Sequence, residues 1–166
     1  MKVNIALLTV TDTRTFENDK SGGILVNKIK EADHNLIDRK ICKDNKDDIK
    51  KIINEWLKEK NIDVIITTGG TGLTGRDITP EALNEIADKH IPGFGEMFRY
   101  ISIKSVGTSS IQSRACAVLA NGKYVFALPG SSGGVTDAWD QILKYQLDIN
   151  HKPCNFVELF PRLKEK

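Results

Sequence analysis

Residues 63–83 read DVIITTGGTGLTGRDITPEAL, and the rest of the chain is arranged around them. Val64, Ile65, Ile66 and Thr67 are a short β-branched run between Asp63 and a glycine cluster, the pattern of a buried central strand. Gly69, Gly70, Gly72 and Gly75 follow within a few residues. Glycine there permits positive φ and lets backbone N–H groups come close to a ligand. Arg76 and Asp77 place one positive and one negative group in the same loop. Thr79 is the expected N-cap of a helix, with Pro80 at its first position and Glu81 in the acid-favouring first turn. A strand, a glycine loop and a helix N-terminus in that order predict an anion site, most often for phosphate. The plainer alternative is that the glycines only make a sharp turn.

The loop also contains Gly70-x-Gly72-x-x-Gly75, which matches the dinucleotide-binding fingerprint. That reading fails on context. The helix is expected only at Thr79, after the last glycine, and no strand follows at the distance the fingerprint needs. The phosphate loop of nucleotide triphosphatases is absent too, because no Lys-Ser or Lys-Thr follows the glycines.

Outward from this stretch the chain alternates strands and helices. Residues 3–10 (VNIALLTV) are a near-continuous apolar run, the mark of a strand covered on both faces in a parallel sheet. The run ends in a polar loop, Thr11-Asp12-Thr13-Arg14. Asp19-Lys20-Ser21-Gly22-Gly23 then leads into a helix with Leu25, Ile29 and Ala32 on one face. Both loops are either solvated turns or site walls, since open α/β sheets bind ligands beyond the carboxyl ends of their strands. Residues 36–41 are the second strand. Asp44 is the expected cap of the helix carrying Ile49, Ile52, Ile53, Trp56 and Leu57 on one stripe, which Asn61 is expected to end.

After the glycine loop a helix is expected to about Ala87, and Pro92-Gly93 starts another. Its stripe of Phe94, Met97, Phe98 and Ile101 suits core packing or a subunit interface. Gly107-Thr108-Ser109-Ser110 is a polar break. Asn121-Gly122 between two apolar runs (residues 116–120 and 124–128) predicts a hairpin, so the sheet should be mostly parallel with one antiparallel strand. Residues 129–134 (PGSSGG) form a second glycine loop between a strand and a helix. Two such loops at strand ends suggest one cleft between them. The tail from Lys152 is expected to cover the domain or a neighbouring subunit.

The length of 166 residues predicts one domain spanning the chain, with 40% hydrophobic and 28% charged residues as in ordinary soluble proteins. With 24 basic and 22 acidic side chains the net charge is only +2, so no broad basic face for nucleic acid is expected. No apolar run approaches a membrane span, and no signal peptide is visible. Cys42, Cys116 and Cys154 are odd in number and widely spaced, which predicts reduced thiols and a cytoplasmic protein. His34, His90 and His151 are too scattered to argue for zinc or for a nucleophile–histidine pair. Aspartates beside a phosphate-cradling loop are how Mg²⁺ is held, and Asp77 with Asp12 or Asp44 offers that. The chemistry best served is phosphoryl or nucleotidyl transfer, with Arg76 or Arg114 available to neutralise phosphate charge or simply to form exposed ion pairs.

Several segments resemble the molybdopterin-binding domain family, which includes bacterial MogA and MoaB proteins and domains of gephyrin and plant Cnx proteins. They are Leu8-Thr9-Val10-Thr11-Asp12-Thr13, Asp19-Lys20-Ser21-Gly22, residues 68–82 (TGGTGLTGRDITPEA), Ser113-Arg114 and Leu128-Pro129-Gly130. They occur in the family's order along nearly the whole chain. Residues 94–99 (FGEMFR), Gly107-Thr108-Ser109 and Pro153-Cys154-Asn155-Phe156 are similar to the MoaB branch. The resemblance implies a three-layer α/β/α fold with a mostly parallel central sheet and a homo-oligomer, trimer or hexamer. It implies Mg-ATP-dependent adenylylation of molybdopterin, giving adenylylated molybdopterin and pyrophosphate, alongside other molybdenum cofactor biosynthesis proteins. By motif the family's two functional aspartates fall on Asp44 and Asp77, implied to be catalytic and to hold Mg²⁺. Gly70, Thr71, Gly72, Ser113, Gly130 and Ser131 match positions lining its pterin and nucleotide cleft, Thr11, Asp12 and Ser21 match its other loops, and Arg76 belongs to the same signature. The chain departs from the adenylyltransferase branch at Ser131-Ser132, where Asn-Pro is usual, and at Gly75, where Pro is common. Two other functions share the fold: a non-catalytic molybdopterin-binding or scaffold protein, and a nucleotide pyrophosphatase related to CinA.

Overall fold

The computed structural model describes residues 1–165. Five strands alternate with helices up to the hairpin: β1 (Asn4–Val10), α1 (Lys20–Glu31), β2 (Asn35–Cys42), α2 (Lys46–Lys58), β3 (Val64–Thr68), α3 (Thr79–Ile86), β4 (Lys89–His90), α4 (Pro92–Val106) and β5 (Cys116–Ala120). β6 (Lys123–Leu128) and α5 (Ser132–Ala138) follow. α5 continues without a break through a π-helical segment, Trp139–Leu143, into α6 (Lys144–Gln146).

The strands form one sheet in the order β2-β1-β3-β6-β5-β4. β1 runs parallel to β2 and β3, and β3 parallel to β6. β5 is antiparallel to both of its neighbours, so it is the single reversed strand of a mixed sheet. The hairpin before β6 is the one expected: Asn121 and Gly122 both take positive φ, +47° and +71°. β4 was not anticipated. At two exposed residues it is too short to leave a periodic signal, and it exists because it pairs with β5.

Side-chain alternation explains why β1 is apolar throughout. Ile5 and Leu7 point into one core with Leu25 and Ile29 of α1, Phe94 and Phe98 of α4, and Val135 of α5. Ala6, Leu8 and Val10 point into the other, with Ile49, Ile53 and Trp56 of α2 and Leu83 of α3. β3 and β6 divide in the same way, Val64 and Ile66 to the first core and Ile65 to the second, Phe126 to the first and Val125 to the second. The molecule is therefore three layers, α/β/α. The chain steps from β1 outward to β2, then back past β1 to β3. Two right-handed crossovers in opposite directions put α1 and α2 on opposite faces.

Helix ends differ from the sequence expectations in three places. α3 is entered from Ile78, without a side-chain cap, and the Thr79 hydroxyl donates instead to the Gly69 carbonyl at 2.9 Å. α2 is capped by Asn45, which accepts from the amides of Asp47 and Asp48, and not by Asp44. α2 also ends at Lys58, before Asn61. The polar break after α4 is a 3₁₀ turn, Gly107–Gln112. The tail folds back on its own chain: Phe156 stacks 4.6 Å from Tyr124 and 5.8 Å from Phe126. Among the described residues no helix is long and apolar enough to cross a membrane.

Candidate functional site

The reversal of direction between β1→β2 and β2→β3 leaves a crevice at the carboxyl ends of β1 and β3, the usual ligand position in an open α/β sheet. The loops after β1, β2, β3 and β6 meet there. Gly69 donates its amide to Leu128 O at 3.0 Å, and the Thr68 hydroxyl donates to Pro129 O at 2.8 Å, so the two glycine loops are tied together at their roots. Gly69 has φ +102°, and a Cβ there would lie 2.1 Å from Val10 O; only glycine lets the β3 loop cross the end of β1.

Beyond the roots the loops part and enclose a cleft of about 790 Å³, within the range of small-molecule sites. Gly70, Thr71, Gly72 and Asp77 line one wall, Gly130 and Ser131 another, and Ser113 belongs to the rim. Ser131 caps α5 by accepting from the Gly134 amide at 3.1 Å. This juxtaposition of two glycine loops across one cleft is the arrangement expected from their places at strand ends.

The two family aspartates flank the first loop. Asp44 Oδ1 lies 3.1 Å from where a Cβ on Gly70 would sit, and Asp77 Oδ2 lies 2.8 Å from the corresponding point on Gly72. Asp77 is held in place: its Oδ2 accepts from the Thr74 amide at 2.9 Å and the Thr74 hydroxyl at 2.6 Å. Burial pushes its carboxyl up, but those bonds and the Gly72 amide outweigh burial, and the group sits below its ordinary range. Asp44 is the opposite case. Burial and then the negative charge of Asp12 push its carboxyl up, with Asp77 adding to the effect and Arg76 opposing it. Its backbone amide donates to Asp12 Oδ1 at 3.2 Å, the Asp12 backbone weakly opposes the upward push, and among the described residues its carboxylate takes no arginine or lysine ion-pair partner.

Arg76 is engaged with Asp12. Nε donates to Oδ2 and Nη2 to Oδ1, both at 2.9 Å, and this fork holds the Asp12 carboxyl below its ordinary range. The Thr11 hydroxyl closes a tight turn by accepting from the amides of Thr13 and Arg14, each at 3.3 Å. Thr11, Asp12, Asp44 and Arg76 therefore stand beside the cleft and not on its wall. Ser21 is fully buried and also off the wall. It accepts from Arg14 Nη1 at 3.1 Å and donates to Asp19 Oδ1 at 3.3 Å.

Sequence reasoning named Arg114 and Asp19 but missed how they, with Arg14, hold these loops. Arg114 acts as a clamp: its amide donates to Thr71 O at 2.8 Å, Nε to Gly72 O and Nη2 to Asp77 O, both at 2.7 Å, and Nη1 pairs with Glu81. Its guanidinium is thus spent on the loop backbone. Arg14 links the β1 loop to the second glycine loop through Gly130 O, 3.0 Å from Nη1. Asp19, with a fully buried carboxylate, joins the Thr9 hydroxyl at 2.6 Å, the Gly22 amide at 3.0 Å and Arg39 Nη2 at 2.9 Å. Apart from the Asp19–Gly22 cap, these pairings have no local signal, because they join residues distant in the chain. The three cysteines are free thiols; burial pushes Cys42 up to about 12 and Cys116 to about 11, which removes both as thiolate nucleophiles at neutral pH.

Mg²⁺ demands few protein ligands, one or two carboxylates with substrate phosphates completing the shell. Among the described residues no group of three or more His, Cys, Asp or Glu is set to hold a metal unaided. An Asp44 carboxylate without a cationic partner, carrying excess negative potential from Asp12 and Asp77 and lying beside the Gly70 backbone, fits the two-carboxylate mode.

A family profile described as "Probable molybdopterin binding domain" matches residues 6–149. The chain is 43% identical over 161 residues to molybdenum cofactor biosynthesis protein B of Escherichia coli (strain K12), covering 97% of this chain and 93% of that one. It is 44% identical over 149 residues to the protein of the same name from Staphylococcus aureus (strain COL), covering 88% of each. A crystal structure of a molybdenum cofactor biosynthesis protein B superposes with a TM-score of 0.90 at 37% identity, over 100% of this chain and 98% of that one. The tungsten cofactor synthesizing protein MoaB from Pyrococcus furiosus superposes at 0.77 with 33% identity, over 86% and 91%. With the profile spanning every element that builds the cleft, and the relatives spanning nearly the full length, this chain belongs to the molybdopterin-binding domain family.

Proposed function

We propose that the whole chain acts as one molybdopterin-binding domain in molybdenum cofactor biosynthesis, in the cytoplasm, and adenylylates molybdopterin at the expense of Mg-ATP. The observation that carries this reading is the placement of Asp44 and Asp77 at either end of the Gly70–72 backbone, at the mouth of a cleft closed by a second glycine loop. In the reaction a terminal phosphate oxygen of molybdopterin attacks the α-phosphorus of ATP. The new P–O bond forms as the bond to the β-phosphate oxygen breaks, and pyrophosphate leaves with the electron pair. The backbone N–H groups of residues 70–71 and 131–133 orient the phosphates, and Arg114 keeps the first set fixed. Asp77, rigidly held, positions the phosphate-bearing end of the substrate. Asp44, with Asp77, would hold Mg²⁺, which when bound supplies charge neutralisation on the phosphates. Arg76 stands ready to exchange Asp12 for a phosphate, since an exposed ion pair is cheap to break.

One observation favours a second reading, a molybdopterin carrier without catalysis: no lysine, arginine or histidine is among the residues lining the cleft, so a triphosphate would meet backbone amides and carboxylates there. The homo-oligomer belongs to both readings. It is supported by Met97, Tyr100, Ile103 and Val106 of α4, each more than half exposed, which extend the apolar stripe beyond what the core covers.

The deciding experiment mixes purified protein, Mg-ATP and molybdopterin, and follows pyrophosphate and adenylylated pterin. Both products are expected, and Asp77→Asn should abolish them, at least 100-fold as for removal of a key electrostatic group, while preserving the melting temperature and pterin binding. Pterin binding without pyrophosphate would install the carrier reading instead.

A further inference from the structure

One part of the cleft is built by α4 and α5 and not by the glycine loop that carries Asp77. Phe98, Val106 and Pro129 give it apolar surface, and Ser102 and Ser105 give it hydroxyls. Its one charged side chain there is Asp137. Asp137 is half-buried, accepts from the Ser105 hydroxyl at 3.1 Å on Oδ2, and has only a long contact, 3.5 Å, from Gln141 Nε2 on Oδ1. Among the described residues it has no cationic partner, unlike Asp12, Asp19 and Asp140, each of which pairs with Arg or Lys. A half-buried carboxylate facing an apolar wall without a counter-ion is an acceptor awaiting donors.

We propose that Asp137 is the specificity-determining residue of the cleft, accepting the paired N–H donors of a 2-amino-4-oxopyrimidine edge and so seating the pterin ring at the α4–α5 end. The inference rests on the reading that this cleft takes molybdopterin, and adds which end of the substrate goes where. A pterin presents its 2-amino group and N3–H side by side. These two donors match the two oxygens of one carboxylate in the same forked geometry that arginine offers from the other side. Adenine presents a donor, the 6-amino group, beside an acceptor, N1. Against Asp137 that acceptor would face a carboxylate oxygen, which repels it. The cleft is thus polarised: Asp137 takes the ring edge, and the glycine-loop amides beside Asp77 take the phosphate. The two carboxylates have different work. Asp77 takes both Thr74 bonds on Oδ2 and lies beside the glycine-loop backbone, whereas Asp137 takes only one donor on each oxygen, the Gln141 one long, and keeps acceptor capacity for a ring edge.

The test varies the ligand as well as the protein. Pterin and lumazine differ in the 2-position, where lumazine carries a carbonyl in place of the amino group. Binding of each is followed by its fluorescence, and adenosine is titrated as the competitor, on the wild-type protein, Asp137→Asn and Asp137→Ala. On wild type, pterin should bind about ten- to a hundredfold more tightly than lumazine, the size of one charge-assisted forked contact. In Asp137→Asn that preference should fall to within a few-fold, and adenosine should bind no more weakly than before. The wild-type comparison needs no variant to fold, and the cycle isolates the contact itself. Equal affinity for pterin and lumazine on wild type overturns the proposal while leaving molybdopterin binding intact. A preference that survives in both Asp137 variants also overturns it. Failure of wild type to bind either pterin or molybdopterin would remove the underlying reading as well.

Discussion

At the residue scale the structure separates aspartates that look alike in the sequence. Asp12 is neutralised by a forked arginine, Asp77 is pinned by a threonine, Asp44 is left without a cationic partner, and Asp19 is buried in a network. Asp19 carries a pH prediction. Burial raises its carboxyl, but the Thr9 hydroxyl, the Gly22 amide and Arg39 outweigh burial, so its folded value lies below the ordinary 3.8. A depressed carboxyl contributes stability that is fully present above the unfolded value and is lost as pH falls through the folded one. Asp19→Asn should cost about 3 kcal/mol at pH 7, because it weakens the Arg39 pair and the helix cap together. The gap from wild type, measured by urea unfolding, should narrow as pH drops below about 4. A gap constant from pH 7 to pH 2 would mean that the ionised form of Asp19 adds nothing to stability. Asp19 was legible only as part of a family motif. The aspartate of residues 19–22 is visible, but its partner Arg39 lies on β2, and nothing in the local sequence links them.

At the element scale the clearest case is the end of α2. Helix carbonyls at a C-terminus need partners, and here they come from a strand far along the chain. Lys123, the first residue of β6, is buried and sends its ammonium to the carbonyls of Trp56 at 3.2 Å and Ile62 at 2.7 Å, and to that of Glu59. Lys123→Met should fill the same space with apolar atoms yet leave the Glu59 and Ile62 carbonyls without the ammonium, costing about 2–3 kcal/mol, while Trp56 O keeps the Glu59 amide. Chemical denaturation would measure it, and a variant as stable as wild type would show that water replaces the ammonium. The same lesson separates caps read correctly from caps misread. Periodicity located α2 to within its true face, because Ile49, Ile53, Trp56 and Leu57 must be buried for it to form. The choice between Asp44 and Asn45 as its cap depends on chain direction at the end of β2, which periodicity does not carry. Thr79 fails as a cap for a related reason: the positive φ of Gly69 and Gly70 turns the loop back so that its hydroxyl meets Gly69 O.

At the scale of the whole molecule, one surface lacks a partner. The outer side of α4 exposes Met97 and Tyr100 at 51% and 69%, while Phe94 and Phe98 on its inner side are buried. If copies of the chain associate through this stripe, light scattering should give a mass that is a multiple of 18.5 kDa. Met97→Glu with Tyr100→Glu should then return it to the monomer, since two buried charges are poorly tolerated in an apolar interface. A monomeric wild type would dispose of the oligomer.

The order of strands and helices apart from β4, the glycine loops, the reversed hairpin strand and the family were readable from the amino-acid sequence alone. Each follows from local physics: β-branched runs, helical spacing, positive-φ glycines, and motifs whose spacing is contiguous in the chain. Tertiary structure alone decided that Arg114 and Arg14 serve as clamps, that Ser21 is buried, and that Asp137 joins the lining of the cleft. Those facts depend on strand order and crossover handedness. They bring together residues tens of positions apart, and no local pattern of polarity records such a meeting.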